Sequence, residues 1–129
     1  MNYYFNKTFF NVSFDEAIEK VTEELKKEGF GILSDIDVQA TLKNKLDVDF
    51  RKYRILGACN PPLALKALKA EIHIGTMLPC NIVVMEKDDG NISVSAIDPL
   101  ASMLAVDNQG VNAVAKEVQT TLKKVIANL

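Results

Sequence analysis

Between residues 80 and 98 the sequence leaves little choice of structure. Two apolar runs, Cys80 to Glu86 and Ile92 to Ala96, flank the turn Lys87-Asp88-Asp89-Gly90. In the second run Ile92, Val94 and Ala96 alternate with Ser93 and Ser95, the period of a strand with one covered face. Gly90 supplies the positive φ that a hairpin turn needs, and Asp98-Pro99 stops the returning strand because proline cannot extend a ladder. An antiparallel pair results, and the remaining elements must cover it.

Two helices are written to do so. Ser13 begins a capping box with Glu16, after which Phe14, Ala17, Ile18, Val21 and Leu25 recur at helical spacing. Lys26 and Lys27 occupy the last turn and Gly29 is placed to terminate it. The chain closes on a longer stripe of Val111, Val114, Ala115, Val118, Leu122, Val125, Ile126 and Leu129. Each helix has one apolar face and a charged reverse, so both are expected on the same face of the sheet.

Three further strands are expected. Residues 2–10 alternate, with Tyr3, Phe5 and Phe9 against Tyr4, Asn6 and Thr8. Gly31 to Ile36 is a short strand, and Tyr53 to Cys59 a largely buried one. Between the last two, Asp37 caps a short helix carrying Val38, Leu42 and Leu46 on one stripe. Asn60-Pro61 opens a helix through Leu63, Ala64, Ala67 and Leu68 that ends near Glu71, with proline where a missing N–H costs nothing. Leu100 to Val106 forms a short helical turn. The order is an α+β one: a mostly antiparallel sheet covered on one face by helices, β-α-β-β-β-β-α with short helical insertions.

The 129 residues suit a single domain, and 48% hydrophobic with 25% charged residues are ordinary globular values. A formal net charge of -2 gives no reason to expect capture by nucleic acid or an anionic membrane. The one basic-aromatic stretch, Phe50-Arg51-Lys52-Tyr53-Arg54, directly follows Asp47 and Asp49. No apolar run approaches the roughly 18 residues of a membrane span, and the N-terminal run Met1-Asn2-Tyr3-Tyr4-Phe5 does not resemble a secretory leader. A cytoplasmic location is the default expectation, with Cys59 and Cys80 as reduced thiols.

The stretch Tyr53-Arg54-Ile55-Leu56-Gly57-Ala58-Cys59-Asn60-Pro61-Pro62-Leu63-Ala64, with Leu78-Pro79-Cys80-Asn81-Ile82-Val83-Val84 and Asp98-Pro99, resembles the domain of unknown function 302 family. Ile36-Asp37-Val38-Gln39-Ala40-Thr41-Leu42-Lys43 is similar to the same pattern. The resemblance implies a compact α+β fold related to the TATA-binding-protein-like class, commonly self-associating, and no known activity. A homodimer is therefore expected, with the aromatic N-terminal strand at an exposed edge where it can pair across a two-fold axis. Fold likeness to a DNA-binding class carries no implication of DNA binding.

The doubled Cys-Asn motif supplies the candidate site. If the strands ending at Cys59 and starting at Cys80 are antiparallel neighbours, both thiols reach one end of the sheet, and the hairpin returns Asp98 there. Cys59, Asn60, Cys80, Asn81 and Asp98 form the candidate ligand-binding set, beside a helix N-terminus whose N–H groups favour anions and thiolates. One reading is a small polar pocket for a small-molecule or anionic ligand. A second is a thiol-based enzyme or redox sensor, with Cys59 reactive and Cys80 resolving. A third is a structural or interaction protein without a ligand, in which the cysteines are buried small hydrophobes and the asparagines caps.

Whether the chain is an enzyme is left open, and no catalytic residue or cofactor is specified. No metal is expected, because two thiols and His73 give at most three soft ligands without tight Cys-x-x-Cys spacing. His73, between Ile72 and Ile74, is expected at the surface or hydrogen-bonded. Met77, Met85 and Met103 are expected to fill core gaps.

Overall fold

The computed structural model describes residues 2–129; Met1, first in the N-terminal run considered above, lies outside them. Eleven elements follow in order: β1 (Tyr4–Phe9), α1 (Phe14–Lys27), β2 (Gly31–Asp37), α2 (Val38–Leu46), β3 (Tyr53–Cys59), α3 (Pro61–Ala70), a 3-10 segment (Ile72–Met77), β4 (Cys80–Glu86), β5 (Ile92–Ile97), α4 (Pro99–Ser102) and α5 (Gln109–Ala127). The five strands make one antiparallel sheet in the order β1-β5-β4-β3-β2. The β4–β5 hairpin lies at its centre, and the aromatic strand β1 is at an edge, as the sequence suggests.

Helices α1 and α5 cover one face together. Ala17, Val21 and Leu25 of α1 join Val118, Leu122, Val125 and Ile126 of α5 in a single cluster with Leu56, Ile82, Val84, Val94 and Ala96 of the sheet. The Glu16 N–H donates to Ser13 Oγ at 3.1 Å, while the Ser13 hydroxyl donates to the Glu16 carboxylate at 3.3 Å. At the other end Gly29 takes a φ of 83°, the Phe30 N–H donates to the Leu25 carbonyl and the Gly29 N–H to the Lys26 carbonyl. This paired closure satisfies two orphan carbonyls and turns Phe30 back into the core.

Three details depart from the sequence reading. No residue of α2 is buried, and Leu46 is 66% exposed, so its apolar stripe is not a core stripe. The helix sits beyond the end of β2 and touches little besides β3. The turn after Asp98 is helical only over Pro99–Ser102 and does not reach Val106, while residues 72–77, given no element above, form a 3-10 segment. Strand β2 carries a bulge: Ile32 pairs with Ala58 and Ser34 with Gly57, which leaves Leu33 as an extra residue.

The core has two parts. Besides the sheet cluster, Ala67, Ile74, Met103, Val111 and Ala115 form a second one, built from α3, the 3-10 segment, the chain after α4 and the first half of α5. Helix α5 thus spans both, covering the sheet with its C-terminal half and the small helices with its N-terminal half.

Candidate functional site

Strands β3 and β4 pair with Ala58 opposite Cys80 and Gly57 opposite Asn81, so the expected convergence of the two thiols at one sheet end holds. Ala96 of β5 lies opposite Ile82, which brings the following Asp98 to the same end. Successive side chains on a strand point to opposite faces, however. Cys80 is buried on the helix side, whereas Asn81 is exposed on the uncovered face. The five candidates therefore line no single space, although Cys80 and Asn81 both border a smaller one at the sheet end beside Pro79 and Ile97.

Cys59, Asn60 and Cys80 line a cavity of about 330 Å³, whose walls include neither Asn81 nor Asp98. Its remaining lining comes from Phe30, the bulged Leu33, Ala58, α3, the segment 75–79, Pro99, Met103 and four residues of α5 from Val111 to Val118. Apart from the amide of Asn60, every lining side chain is apolar or a thiol. The pocket expected to be polar is an apolar one. It lies where the two core clusters meet, drawing walls from both. Leu33, 70% exposed, stands at its mouth.

Asn60 is spent on structure. Its Oδ1 accepts from the Leu63 N–H at 3.3 Å and its Nδ2 donates to the Glu28 carbonyl at 3.5 Å, tying the start of α3 to the end of α1. The start of α3 also fails as an anion site. Pro61 and Pro62 have no N–H, that of Leu63 is capped, and that of Ala64 donates to the Asn60 carbonyl at 2.9 Å. The expectation of donors free for an anion or thiolate there is corrected by this accounting.

Asp98 is likewise engaged. It caps α4 by accepting from the Leu100 N–H at 3.0 Å, and both its oxygens accept from the Gln119 amide at 3.1 Å. Burial pushes the Cys80 thiol up to about 11, with the neighbouring Cys59 adding to the rise, so it stays protonated at neutral pH. Cys59 is half-buried.

A close approach fixes the wall beside the thiols. A Cβ on Gly57 would lie 2.6 Å from Pro79 Cγ and collide with Ser34 Oγ, so only glycine lets these strands and the 78–80 segment meet. His73 is exposed in the 3-10 segment. Among the described residues no group of three or more His, Cys, Asp or Glu is arranged to hold a metal. The uncovered sheet face carries a separate groove, where Asn6 Nδ2 donates to Ser93 Oγ at 2.7 Å and Ser95 Oγ at 2.9 Å below Tyr4 and Tyr53.

Several walls of the cavity escape a reading of local motifs, notably Phe30, Leu33, Met103 and Ala115. The available signal was the run of small residues on two helices: Ala64 and Ala67 on α3, Ala115 on α5. Small side chains on facing helices permit either close packing or a gap, and here they leave a cleft half open to solvent.

A family model for the domain of unknown function DUF302 matches residues 5–129. The chain belongs to the DUF302 family. A solved structure, described as an uncharacterized conserved protein DUF302 from Bacillus stearothermophilus, is similar to it with a TM-score of 0.89. The two share 26% identity over 98% of each chain. No curated protein matches the chain. The α+β architecture of this DUF302 domain is thus shared with a crystal structure, and neither comparison carries an activity with it.

Proposed function

We propose that this DUF302 domain is a small-molecule-binding module whose site is the cavity walled by Cys59, Asn60 and Cys80. The observation that carries the reading is the 330 Å³ space dividing the core. Small-molecule sites are concave, mostly apolar clefts, and their volumes begin near this value. The space is half open to solvent, and without a ligand water must lie against walls that offer it few polar partners. The lining favours a small apolar molecule over an anion, since it presents no cationic side chain.

Native mass spectrometry of freshly purified protein, with extraction of any released compound, tests the reading. A low-mass species lost on denaturation is expected. The bare chain alone, unchanged after incubation with apolar compounds, contradicts it.

The thiol-enzyme or redox-sensor reading has less support, because a Cys80 thiol held up to about 11 is a poor nucleophile and a poor resolving partner near neutrality. A purely structural role leaves the divided core without a reason. A cytoplasmic setting, in which both thiols stay reduced, fits the binding reading. No helix among the described residues is long and apolar enough to cross a membrane.

We also propose a homodimer formed by antiparallel pairing of β1 with β1 of a second copy. The two sheet edges differ: β2 is interrupted by its bulge and carries Asp35 and Asp37, whereas β1 is regular and carries only Lys7 as a charge. Sedimentation at micromolar concentration is expected to give twice the chain mass, and a monomer mass contradicts the pairing.

A further inference from the structure

We infer that the cavity takes a neutral aromatic molecule of roughly a dozen non-hydrogen atoms and rejects carboxylates and phosphates, on a size scale in which about 150 Å³ holds one benzene. The inference rests on the binding reading above and names the ligand class for that same site. At about 330 Å³ the cavity has twice the room of the benzene-sized case, which corresponds to two fused rings.

Charge selection follows from what the walls lack. No lysine, arginine or histidine lines the space. The one amide, that of Asn60, is engaged with Leu63 and Glu28, and the adjoining helix start has no free N–H in its first turn. An anion entering here gives up much of its water and meets no cation, only two weak thiol donors and the one amide hydrogen that Asn60 leaves over, whereas a neutral ring loses little.

Preference for a ring over a flexible chain follows from what the walls contain. Three sulfur atoms, those of Cys59, Cys80 and Met103, surround one space together with the ring of Phe30. Thioether and thiol sulfurs make favourable contacts at aromatic edges, and a second ring packs against Phe30 edge-to-face or offset. Ala58, Ala64, Ala67 and Ala115 keep the opposing walls low. A rigid ring also has no rotamers to lose on entry, unlike an alkyl chain.

With no tryptophan and three tyrosines, the protein adds little emission when a naphthalene ring is excited at wavelengths that tyrosine does not absorb. The probes are 2-naphthol, 2-naphthoate and 1-decanol, the last by competition. Saturable 2-naphthol binding is expected, with 2-naphthoate weaker by at least about a hundredfold and decanol by about tenfold.

Equal affinity for 2-naphthoate overturns the charge rule while leaving the cavity as a binding site. Decanol binding as tightly as 2-naphthol overturns the aromatic preference alone. Binding of none of the three probes overturns both this inference and the binding reading beneath it. Ala115→Leu fills the cavity from its buried wall and Ala64→Phe from its half-buried rim, so that one folded variant suffices. Either is expected to lower 2-naphthol affinity by at least about tenfold, as a clash in a filled pocket would. Unchanged affinity in a folded variant places the probe elsewhere and overturns the inference.

Discussion

Asp98 and Gln119 clasp one another across the end of the sheet: both oxygens of the carboxylate accept from the one side-chain amide, each at 3.1 Å. The contact ties the turn after β5 to the middle of α5, next to where the two halves of the core separate. It makes Asp98 a structural anchor. Asp98→Ala removes a helix cap and leaves the Gln119 amide without its partner, an expected loss of about 1–2 kcal/mol in urea unfolding. A change below about 0.3 kcal/mol would contradict the cap and the clasp as described.

The buried face of α5 provides a second test. Leu122 is fully buried in the sheet cluster, so Leu122→Ala is expected to cost about 2–5 kcal/mol. A loss below about 1 kcal/mol in a reversible melt would show that this face does not pack as described.

Gly57 tests the close approach of β2, β3 and the 78–80 segment. Gly57→Ala is expected to destabilise by about 1–3 kcal/mol, because the added methyl meets Pro79 and Ser34. Chemical denaturation of the variant checks this, and wild-type stability would mean the strands have room that the structure does not show.

The pH dependence of stability isolates Cys80. Its folded pKa, about 11, is raised above the ordinary value of 9.0, first by burial and then by Cys59. The unfolded thiol therefore ionises first, and the stability this contributes is complete below pH 9 and lost as pH rises through 11. Measured against Cys80→Ala, the wild-type advantage is expected to shrink by about 2 kcal/mol over that window. Residue-resolved alkylation gives a companion result: half-buried Cys59 labels first, and Cys80 only slowly. A pH-independent difference, or equal labelling rates, contradicts the buried placement of Cys80.

These residues also show how much the sequence carries. The Ser13 cap, the Gly29 terminator and the Gly90 turn are local devices, each read correctly because its chemistry is completed within a few residues. The meeting of Cys59 and Cys80 followed from strand direction alone. Side-chain facing did not, for Asn81 lies one residue from Cys80 and on the other face. The place of Leu33 at the cavity was not legible, because a bulge is an insertion in one strand relative to its partner, visible only once the pairing is known. The apolar character of the cavity was hidden for a similar reason. Its walls come from elements spread between Phe30 and Val118, and an unfilled space belongs to their assembly, not to any segment.

The central claim is that the space between the two core clusters is a site that accepts apolar molecules. Diffraction from crystals held under xenon pressure tests this most directly, since an apolar cavity of about 150 Å³ already binds xenon. Xenon is expected between Phe30, Met103 and Ala115, with the surrounding side chains unmoved. A cavity found closed by inward movement of Leu33 and α3, or left empty while xenon binds elsewhere, would contradict the account.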